Sequence, residues 1–453
     1  MPSVNNWISG SFNLCIPVCI DELSGTGVLI RIPLPYKIGE ENNAGNVDEK
    51  LRCEVASYMW IQENSPEIPI PKLFGCGFTD GQTFTTPEKV PFLPRLIWRV
   101  NRALRSLLWL PTPGRYVGRS FPDTLKTGYL IMSYVTNGAM LSRSWEAHRH
   151  DSDKRSNLFH GLAHIMLSLG KPRLPRIGSF TLDNRGIISL TNRPLTLRLQ
   201  ALENEGIGTD ISRDYTYSAV DLYLLDLLNC HNNRIYQQPN SAHSQSDGRQ
   251  QVAALTMMRA IMPHFIDRSL RHGPCIFTLT DMHQSNIFVD DQWNITSLID
   301  LEWACSLPVE MQGPPYWLSG RPVDGMPPGE HLDAFGDVVA EFIKAFETEE
   351  ALILGKEQPL VRSTLMRKCW ETGSYWYFQA IKSPKGMFTI FDKHIQGMFH
   401  ANHSKPALFD GVVSSYWARD VNAVIETKLK EEDSYKEQLR EALIADLDFL
   451  DSR

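Results

Sequence analysis

The sequence predicts an α+β fold, with a small sheet-rich N-terminal part followed by a mostly helical C-terminal part. Apolar runs such as 73–79 and 128–135 predict strands before residue 136. After it, apolar residues at helical spacing predominate, most clearly at 158–169 and 331–352. Within this helical part, 276–303 reads as three short strands, and the last two of them are predicted to form a hairpin.

The composition excludes several classes of protein. The 453 residues are 42% hydrophobic, which is enough for a large core and two or three domain-sized units. A net charge of −7 argues against general nucleic-acid binding. No apolar run approaches the ~18 residues of a transmembrane helix, and the first residues do not resemble a signal peptide. The eight cysteines contain no C-x-x-C pair, so we expect reduced thiols in a cytoplasmic protein.

Three polar side chains stand at the joints of the predicted hairpin. Asp281 follows the first strand, Asn286 opens the second strand five residues later, and Asp300 ends the third. Asp and Asn are also ordinary turn residues, and we assign Asp290 and Asp291 to the turn for that reason. The first three residues, by contrast, are bracketed by strand ends.

This spacing is typical of phosphoryl transfer. An Asp five residues before an Asn, followed by a second Asp after a hairpin, is the catalytic arrangement of kinases. One carboxylate accepts the proton of the attacking hydroxyl. The amide oxygen and the other carboxylate hold Mg²⁺ on the nucleotide phosphates.

The segment LTDMHQSNIFVDDQWNITSLIDLEWA resembles the H-G-D-x-H-x-x-N-x-x-x-D signature of aminoglycoside-phosphotransferase-like small-molecule kinases, and in particular their fungal branch. The resemblance implies that Asp281 is the base and that Asn286 and Asp300 are the metal ligands. It makes His283 the second histidine of the loop. The sequence departs from the signature at Leu279 and Thr280, where the wider family has His and Gly.

Weaker similarities lie upstream. Gly10 and Ser11 begin a G-S-F-N segment that resembles the phosphate-covering loop of these kinases. Arg31 occupies the position of the phosphate-binding lysine on the third strand, and Lys37 is the alternative. The run 128–135 resembles the strand and hinge that contact adenine.

The predicted helix Val47–Gln62 would carry the glutamate that pairs with the cation of the third strand. Glu54 is the expected partner of Arg31, and Glu49 is the alternative. At the hinge, Ser133 and Val135 are the expected nucleotide contacts, on either side of Tyr134.

The resemblance implies a bilobal protein-kinase-like fold. Residues 1–132 would form a β-rich, nucleotide-binding N-lobe with a helical insertion near 81–127, and residues 133–453 would form the C-lobe. The implied activity is ATP- and Mg²⁺-dependent transfer of a phosphoryl group to a hydroxyl of a small molecule. Two other classes stay open, a nucleotide-binding pseudokinase with a scaffold role and a metal-dependent hydrolase. The oligomeric state is not indicated.

The acceptor is assigned by a charge argument. Small-molecule kinases of this kind often bind cations, which carboxylates and aromatic faces hold. Glu302 and Trp303 directly follow the metal ligand, and Asp333 and Asp337 lie one turn apart on the next helix. They predict an amine-bearing acceptor, with a neutral polyol or an amino-acid-like metabolite as the alternatives.

Three further segments carry predictions. In the insertion, leucines from Leu93 to Leu108 recur at helical spacing, with Arg95, Arg99 and Arg102 on the other side. We expect this helix to pack on its own protein, and a membrane-surface helix is the alternative. The polar run 232–251 predicts a long loop. The aromatic-rich helix at 360–381 is expected to pack into the core on several sides.

Overall fold

The computed structural model describes residues 7–21, 26–121, 127–355, 358–359, 361–399 and 406–451. The fold is mixed α and β, and its N-terminal region is rich in strands. Residues 122–126 of the predicted insertion lie outside the described residues.

One antiparallel sheet organises the N-terminal region. Its seven strands follow the order β1-β2-β3-β7-β4-β5-β6. Their bounds are β1 Ile8–Ser9, β2 Asn13–Asp21, β3 Thr26–Pro33, β4 Leu73–Gly77, β5 Gln82–Thr85, β6 Val117–Ser120 and β7 Tyr129–Ser133. The central strand β3 pairs with β2 on one side and with β7 on the other, so Arg31 stands opposite Cys15 and Leu130.

Helix α1, Asn46–Asn64, connects β3 to β4. It is buried over most of its length, which includes the charged side chains of Glu49, Lys50 and Glu54. Burial of three charged groups on one helix requires partners for each of them. Those partners come from strands of the sheet and from the C-terminal region.

The C-terminal region is mostly helical. Its larger helices are α4 Ser152–Leu169, α6 Val220–Gln237, α7 Gln245–Phe265, α8 Glu330–Leu354, α9 Val361–Glu371, α10 Ser374–Lys382, α13 Pro406–Ser414 and α14 Val421–Asp451. Shorter helices are α3 Trp145–His148, α5 Leu197–Asn204, α11 Met387–Ile390 and α12 Gln396–Phe399, with the π-helix Phe391–Ile395 between the last two. The side chain of Asp151 caps α4 by accepting from two backbone N–H groups.

Two small sheets hold the predicted hairpin. Strand β11, Cys275–Leu279, pairs with β14, Ala304–Pro308, and β12, Ile287–Val289, pairs with β13, Ile295–Leu298. β8, Ala139–Met140, joins the edge of β12. The predicted turn is present, since Asp290 Oδ1 accepts from the backbone N–H groups of residues 292 and 294. A separate hairpin is made by β9 Ser179–Leu182 and β10 Ile188–Asn192.

The prediction of a long loop at 232–251 is wrong. α6 continues to Gln237 and α7 begins at Gln245, so only a short connection remains. Ser244 caps α7 by accepting from the backbone N–H of Asp247, and the Asp247 carboxylate accepts from the N–H of His243. This reciprocal cap starts a helix within a polar run that carried no apolar periodicity.

The predicted helical insertion contains strands as well as a helix. Its ends form β5 and β6, which extend the sheet, and between them lies α2, Phe92–Leu107. No residue of α2 is buried. The expectation that this helix packs its apolar stripe on its own protein is therefore wrong.

The aromatic residues predicted to pack into the core do so. The consecutive aromatic residues 375–378 on α10 are all buried. None of the eight cysteines is in a disulfide, and six are buried. Among the described residues, no helix is long and apolar enough to cross a membrane.

Candidate active site

Two hydrogen-bonded anchors hold the loop that follows β11. Thr280 donates from its N–H and its hydroxyl to the carbonyl of Trp303, at 3.2 and 2.5 Å. The indole Nε1 of Trp317 donates to the carbonyl of Met282 at 2.7 Å. The sequence has Leu279 and Thr280 where the signature it resembles has His and Gly, and the two contacts above hold the loop.

The loop brings Asp281 and Asn286 together. Asn286 Nδ2 donates to the backbone carbonyl of Asp281 at 2.9 Å and to its carboxylate Oδ2 at 3.2 Å. Burial, followed by the negative charges of Asp300 and Glu302, raises the pKa of Asp281 to about 6. This carboxylate is therefore more basic than an ordinary aspartate.

Asp300 joins the pair from the end of β13. The N–H of Ile299 donates to the carbonyl of Asn286 at 3.0 Å, which places Asp300 beside the loop. Asp300 has the left-handed backbone conformation, with φ of 59°, and its side chain is 34% exposed. A non-glycine residue rarely adopts this conformation outside functional sites and turns.

Arg31 connects the sheet to this hairpin. Its Nη1 lies 2.6 Å from Glu54 Oε1, which is the contact expected from the sequence. Its Nη2 lies 2.6 Å from Asp300 Oδ1 and 2.7 Å from Glu302 Oε2. Although burial opposes its charge, these carboxylates raise the pKa of Arg31 well above its ordinary value.

Glu49 and Lys37, the alternatives to Glu54 and Arg31, lie outside this cluster. Glu49 forms a separate buried cluster with Arg193 and with the half-exposed Arg213. Lys37 is exposed, in a turn after β3, and contacts the ring of Tyr36. Neither Glu49 nor Lys37 contacts residues 276–303 through its charged group.

Sequence reasoning missed Lys50. This side chain is fully buried, and its Nζ lies 2.5 Å from Glu302 Oε2 and 2.8 Å from Asn13 Oδ1. It also lies 3.9 Å from Glu54 Oε2, one helical turn along α1. The four-residue spacing of Lys50 and Glu54 was the available signal, because such pairs share one face of a helix.

Glu302 and Trp303 are not placed for acceptor binding, in contrast to the prediction. Glu302 is 2% exposed, and Asn13, Arg31 and Lys50 all contact its carboxylate. Although burial favours its neutral form, Arg31 and Lys50 lower the pKa of Glu302. Trp303 is 1% exposed and packs edge-to-face on Phe12, with ring centroids 5.6 Å apart.

The other predicted nucleotide contacts lie at the ends of strands. Gly10 and Ser11 are exposed in the turn between β1 and β2, which the N–H of Gly10 closes by donating to the carbonyl of Asn13 at 2.8 Å. Ser133 ends β7, and its N–H donates to the carbonyl of Lys72. Val135 follows it, half-buried. The roles of these residues stay predictions.

The charged groups of the site are unevenly balanced. Arg31 and Lys50 face three carboxylates, those of Glu54, Asp300 and Glu302. Burial, only partly offset by Arg31, raises the pKa of Glu54 to about 7. In the same cluster, Arg31 Nε and Glu54 Oε2 are buried and have no hydrogen-bond partner among the described residues. Excess negative charge and unsatisfied polar atoms fit a site that gains a cationic partner and further polar contacts when it is filled.

The oxygen atoms available for a metal ion belong to Asn286 and Asp300, and carboxylate and amide oxygens suit Mg²⁺. Within the described part of the chain, no group of three or more His, Cys, Asp or Glu residues is arranged to hold a metal ion. A hydrolase that binds its metal through protein ligands alone would need such a group.

A cavity of about 220 Å³ opens beside Asp281. Most of its lining is apolar or aromatic and includes Met282, Tyr316 and Trp317. Its other charged side chains are basic, Arg198 and Lys382. Asp333 and Asp337 are exposed on α8 and do not line it, so the structure does not place the predicted acidic acceptor site there.

Neither a protein-family model nor a curated protein matches the sequence. Among solved structures, the chain is similar to a protein described as "Macrolide 2'-phosphotransferase type I". That similarity has a TM-score of 0.34 and 10% sequence identity, and it covers 90% of this chain and 88% of the other. At these values it decides neither fold nor family.

Proposed function

We propose that the protein is an ATP- and Mg²⁺-dependent phosphotransferase that phosphorylates a hydroxyl group of a small molecule. The convergence of Asp281, Asn286 and Asp300 next to the Arg31–Glu54 ion pair supports this proposal most directly. This constellation contains the base, the metal ligands and the positive charge that phosphoryl transfer needs.

Asp281 is the proposed base. Its carboxylate borders the cavity, and Asn286 fixes its orientation from the other side. A pKa of about 6 leaves most of this group ionised at neutral pH and still able to take a proton from an attacking hydroxyl. The group would release that proton to solvent after transfer.

Asn286 and Asp300 would hold Mg²⁺ through their side-chain oxygens. The ion, when bound, neutralises charge on the transferring phosphoryl group. Arg31 contacts Asp300, and Lys50 contacts the neighbouring Glu302. Both side chains would add positive charge toward the phosphates. Since Arg31 already contacts Asp300, Arg31 and the metal ion would share this carboxylate.

The nucleotide would lie between the strand-rich region and the helical region, as in a bilobal kinase. The turn at Gly10 and Ser11 would cover the phosphates with backbone N–H groups. Ser133 and Val135 lie where β7 leaves the sheet, and they would contact the adenine edge.

The cavity beside Asp281 is the proposed acceptor site. Its apolar lining favours an acceptor with an apolar body, because such surface gains free energy when it leaves water. Lys382 donates to the carbonyl of Met311 at 3.2 Å, and burial lowers its pKa to about 8. With Arg198 also in the lining, this site disfavours a cationic acceptor and favours a neutral or anionic one.

The test is a screen for acceptor-dependent ATP consumption. Purified protein, ATP and Mg²⁺ are incubated with apolar alcohols, hydroxy acids, polyols and amino alcohols, and phosphorylated product is identified by mass spectrometry. We expect at least one acceptor to be phosphorylated by the wild type and not by Asp281→Asn. Product formed equally by the variant would contradict the proposal.

A pseudokinase with a scaffold role is the second candidate, because Arg31 occupies one oxygen of the predicted metal ligand Asp300. This candidate expects nucleotide binding without turnover. Calorimetric titration of ATP with and without Mg²⁺, on the same preparation as the screen, separates the two.

A further inference from the structure

Helix α2 carries an apolar stripe that faces away from the protein. Its members share one side of the helix and are all exposed: Leu93, Leu96, Ile97, Val100, Leu104 and Leu107. The stripe continues beyond the helix through Leu108 and Leu110 to Trp109, which is 95% exposed. A contiguous apolar patch of this kind is uncommon on the exposed surface of a protein and marks an interaction site.

The opposite face attaches the helix to the fold. Trp98 and Arg102 line a cavity together with Ile61 of α1 and Tyr116 before β6. Arg105 donates to the carbonyl of Pro111 at 2.9 Å and so fixes the chain after the helix. The polar side of α2 therefore faces the protein, and the apolar side is presented outward. This is the reverse of a helix that packs on its own core.

The charge around the stripe has one sign. From Lys89 to Phe121 the sequence contains seven basic residues and no acidic residue, in a chain whose net charge is −7. Arg99 is exposed beside the stripe, and Arg95 and Arg105 are half-buried. Arginine side chains at the margin of an apolar stripe can bury their stems and keep the guanidinium among phosphate groups.

We propose that α2 and the adjoining segment 108–110 dock on a membrane surface that contains anionic lipids. The apolar stripe would enter the boundary between headgroups and acyl chains, as amphipathic interfacial helices do. Trp109 suits this boundary because its ring is apolar and its N–H is polar. The flanking arginines complement a negatively charged leaflet. This mode of binding needs no membrane-spanning helix.

The test uses the full chain and sedimentation with lipid vesicles. We expect binding to phosphatidylcholine–phosphatidylserine vesicles, weak binding to phosphatidylcholine alone, and a loss of binding as salt is raised. Arg99→Gln should weaken binding about fivefold, the effect of one basic residue near such a surface. Ile97→Glu combined with Leu104→Glu should abolish it.

A matched control carries the same change of charge elsewhere. Leu352→Glu combined with Leu408→Glu alters two other exposed leucines, on α8 and α13, and should leave vesicle binding near the wild-type value once the lower net charge is allowed for. Circular dichroism checks that each variant is folded. Both pairs lie on the surface, so we expect native spectra.

Equal binding to both kinds of vesicle, or unchanged binding by the Ile97→Glu and Leu104→Glu variant, would overturn the proposal. A vesicle-independent change of oligomeric state in that variant, measured by analytical ultracentrifugation, would instead assign the stripe to contact between two copies of the chain. None of these results depends on phosphotransfer activity.

Discussion

The guanidinium of Arg31 and the carboxylate of Glu54 are 2.6 Å apart, and both side chains are buried. The other terminal nitrogen of Arg31 contacts Asp300 and Glu302, at 2.6 and 2.7 Å. A single side chain thus joins the sheet, α1 and the segment that follows β13. Its removal would leave three carboxylates that depend on Lys50 alone for compensation.

The first prediction concerns this buried cluster. Arg31→Met should lower the free energy of unfolding by about 3–5 kcal/mol, the cost of leaving buried charges uncompensated. Urea denaturation followed by circular dichroism measures the change. Arg185→Met, which removes an exposed pair with Asp183, is the control and should cost less than about 1 kcal/mol. Similar losses in the two variants would show that the cluster contributes no more than a surface pair.

Lys50 supports a second prediction. Lys50→Met should destabilise the fold, because Glu302 loses a partner at 2.5 Å. Adding Glu302→Gln removes the uncompensated charge and should recover part of the stability. If Lys50 also serves the nucleotide phosphates, the double variant will stay inactive, whereas Lys37→Met will match the wild type in both assays. Full turnover by the stable double variant would limit Lys50 to a structural role.

Local spacing predicted part of this cluster, and tertiary contacts account for the rest. The positions of Asp281, Asn286 and Asp300 at strand ends follow from their spacing along the chain, and the pairing of Arg31 with Glu54 was implied by the resemblance to kinases. Lys50 and Asn13 reach Glu302 from elements far apart in sequence, at 2.5 and 3.1 Å. A single sequence contains no signal for such contacts.

The third prediction is a pH dependence. Burial and the neighbouring carboxylates raise the pKa of Asp281 to about 6, so its ionised form is lost as the pH falls through 6. The rate of phosphotransfer should therefore decline below about pH 6, whereas an unperturbed aspartate would titrate near ~4. The measurement is kcat/KM from pH 5 to 8, within a range where circular dichroism shows the protein to be folded.

Asp281→Asn should lower turnover by about 10²- to 10⁴-fold, the usual contribution of a general base. ATP binding should be nearly unchanged, since Asp281 faces the cavity rather than the Arg31 cluster. A variant that kept the wild-type pH profile would exclude Asp281 as the titrating base.

A fourth prediction separates the two metal ligands. Asp300→Ala should abolish the Mg²⁺ dependence of ATP binding, and Asn286→Ala should weaken it less, because a charged oxygen contributes more to a hard cation than an amide oxygen does. Calorimetry with ATP at several Mg²⁺ concentrations measures both. Asp290→Ala, in the nearby turn, is the control for a general effect on the hairpin. Equal Mg²⁺ dependence in Asp300→Ala and the wild type would remove Asp300 from the metal site.

Charge-based assignment of the acceptor site failed for a physical reason. Glu302 and Trp303 follow Asp300, the predicted metal ligand, in sequence, but the 3₁₀ turn Leu301–Trp303 directs both into the core. Asp333 and Asp337 share a helical face, and that face is exposed. Proximity along the chain and a common helix face do not decide which side of an element borders a cavity. The same limit applies to α2, because its apolar stripe was predicted to pack on the protein and is exposed.

The last prediction tests the acceptor class. The cavity beside Asp281 presents an apolar lining with Lys382 and Arg198, and it contains no carboxylate other than Asp281. His231 also lines the cavity. Its Nε2 contacts the carbonyl of Ile381 at 2.8 Å, its buried Nδ1 has no hydrogen-bond partner among the described residues, and burial lowers its pKa to about 4. A neutral ring that donates from Nε2 leaves Nδ1 as an acceptor for a hydroxyl or N–H of the ligand. We expect neutral or anionic hydroxyl compounds with apolar bodies to be phosphorylated in preference to amino alcohols of the same size.

Lys382→Met should raise KM for an anionic acceptor about tenfold or more and change KM for a neutral acceptor little, because only the former loses a charge-assisted contact. Lys385→Met, on the exposed continuation of the same segment, is the matched control. Preferential turnover of amine-bearing acceptors, unaffected by Lys382→Met, would contradict this assignment while leaving the roles of Asp281, Asn286 and Asp300 intact.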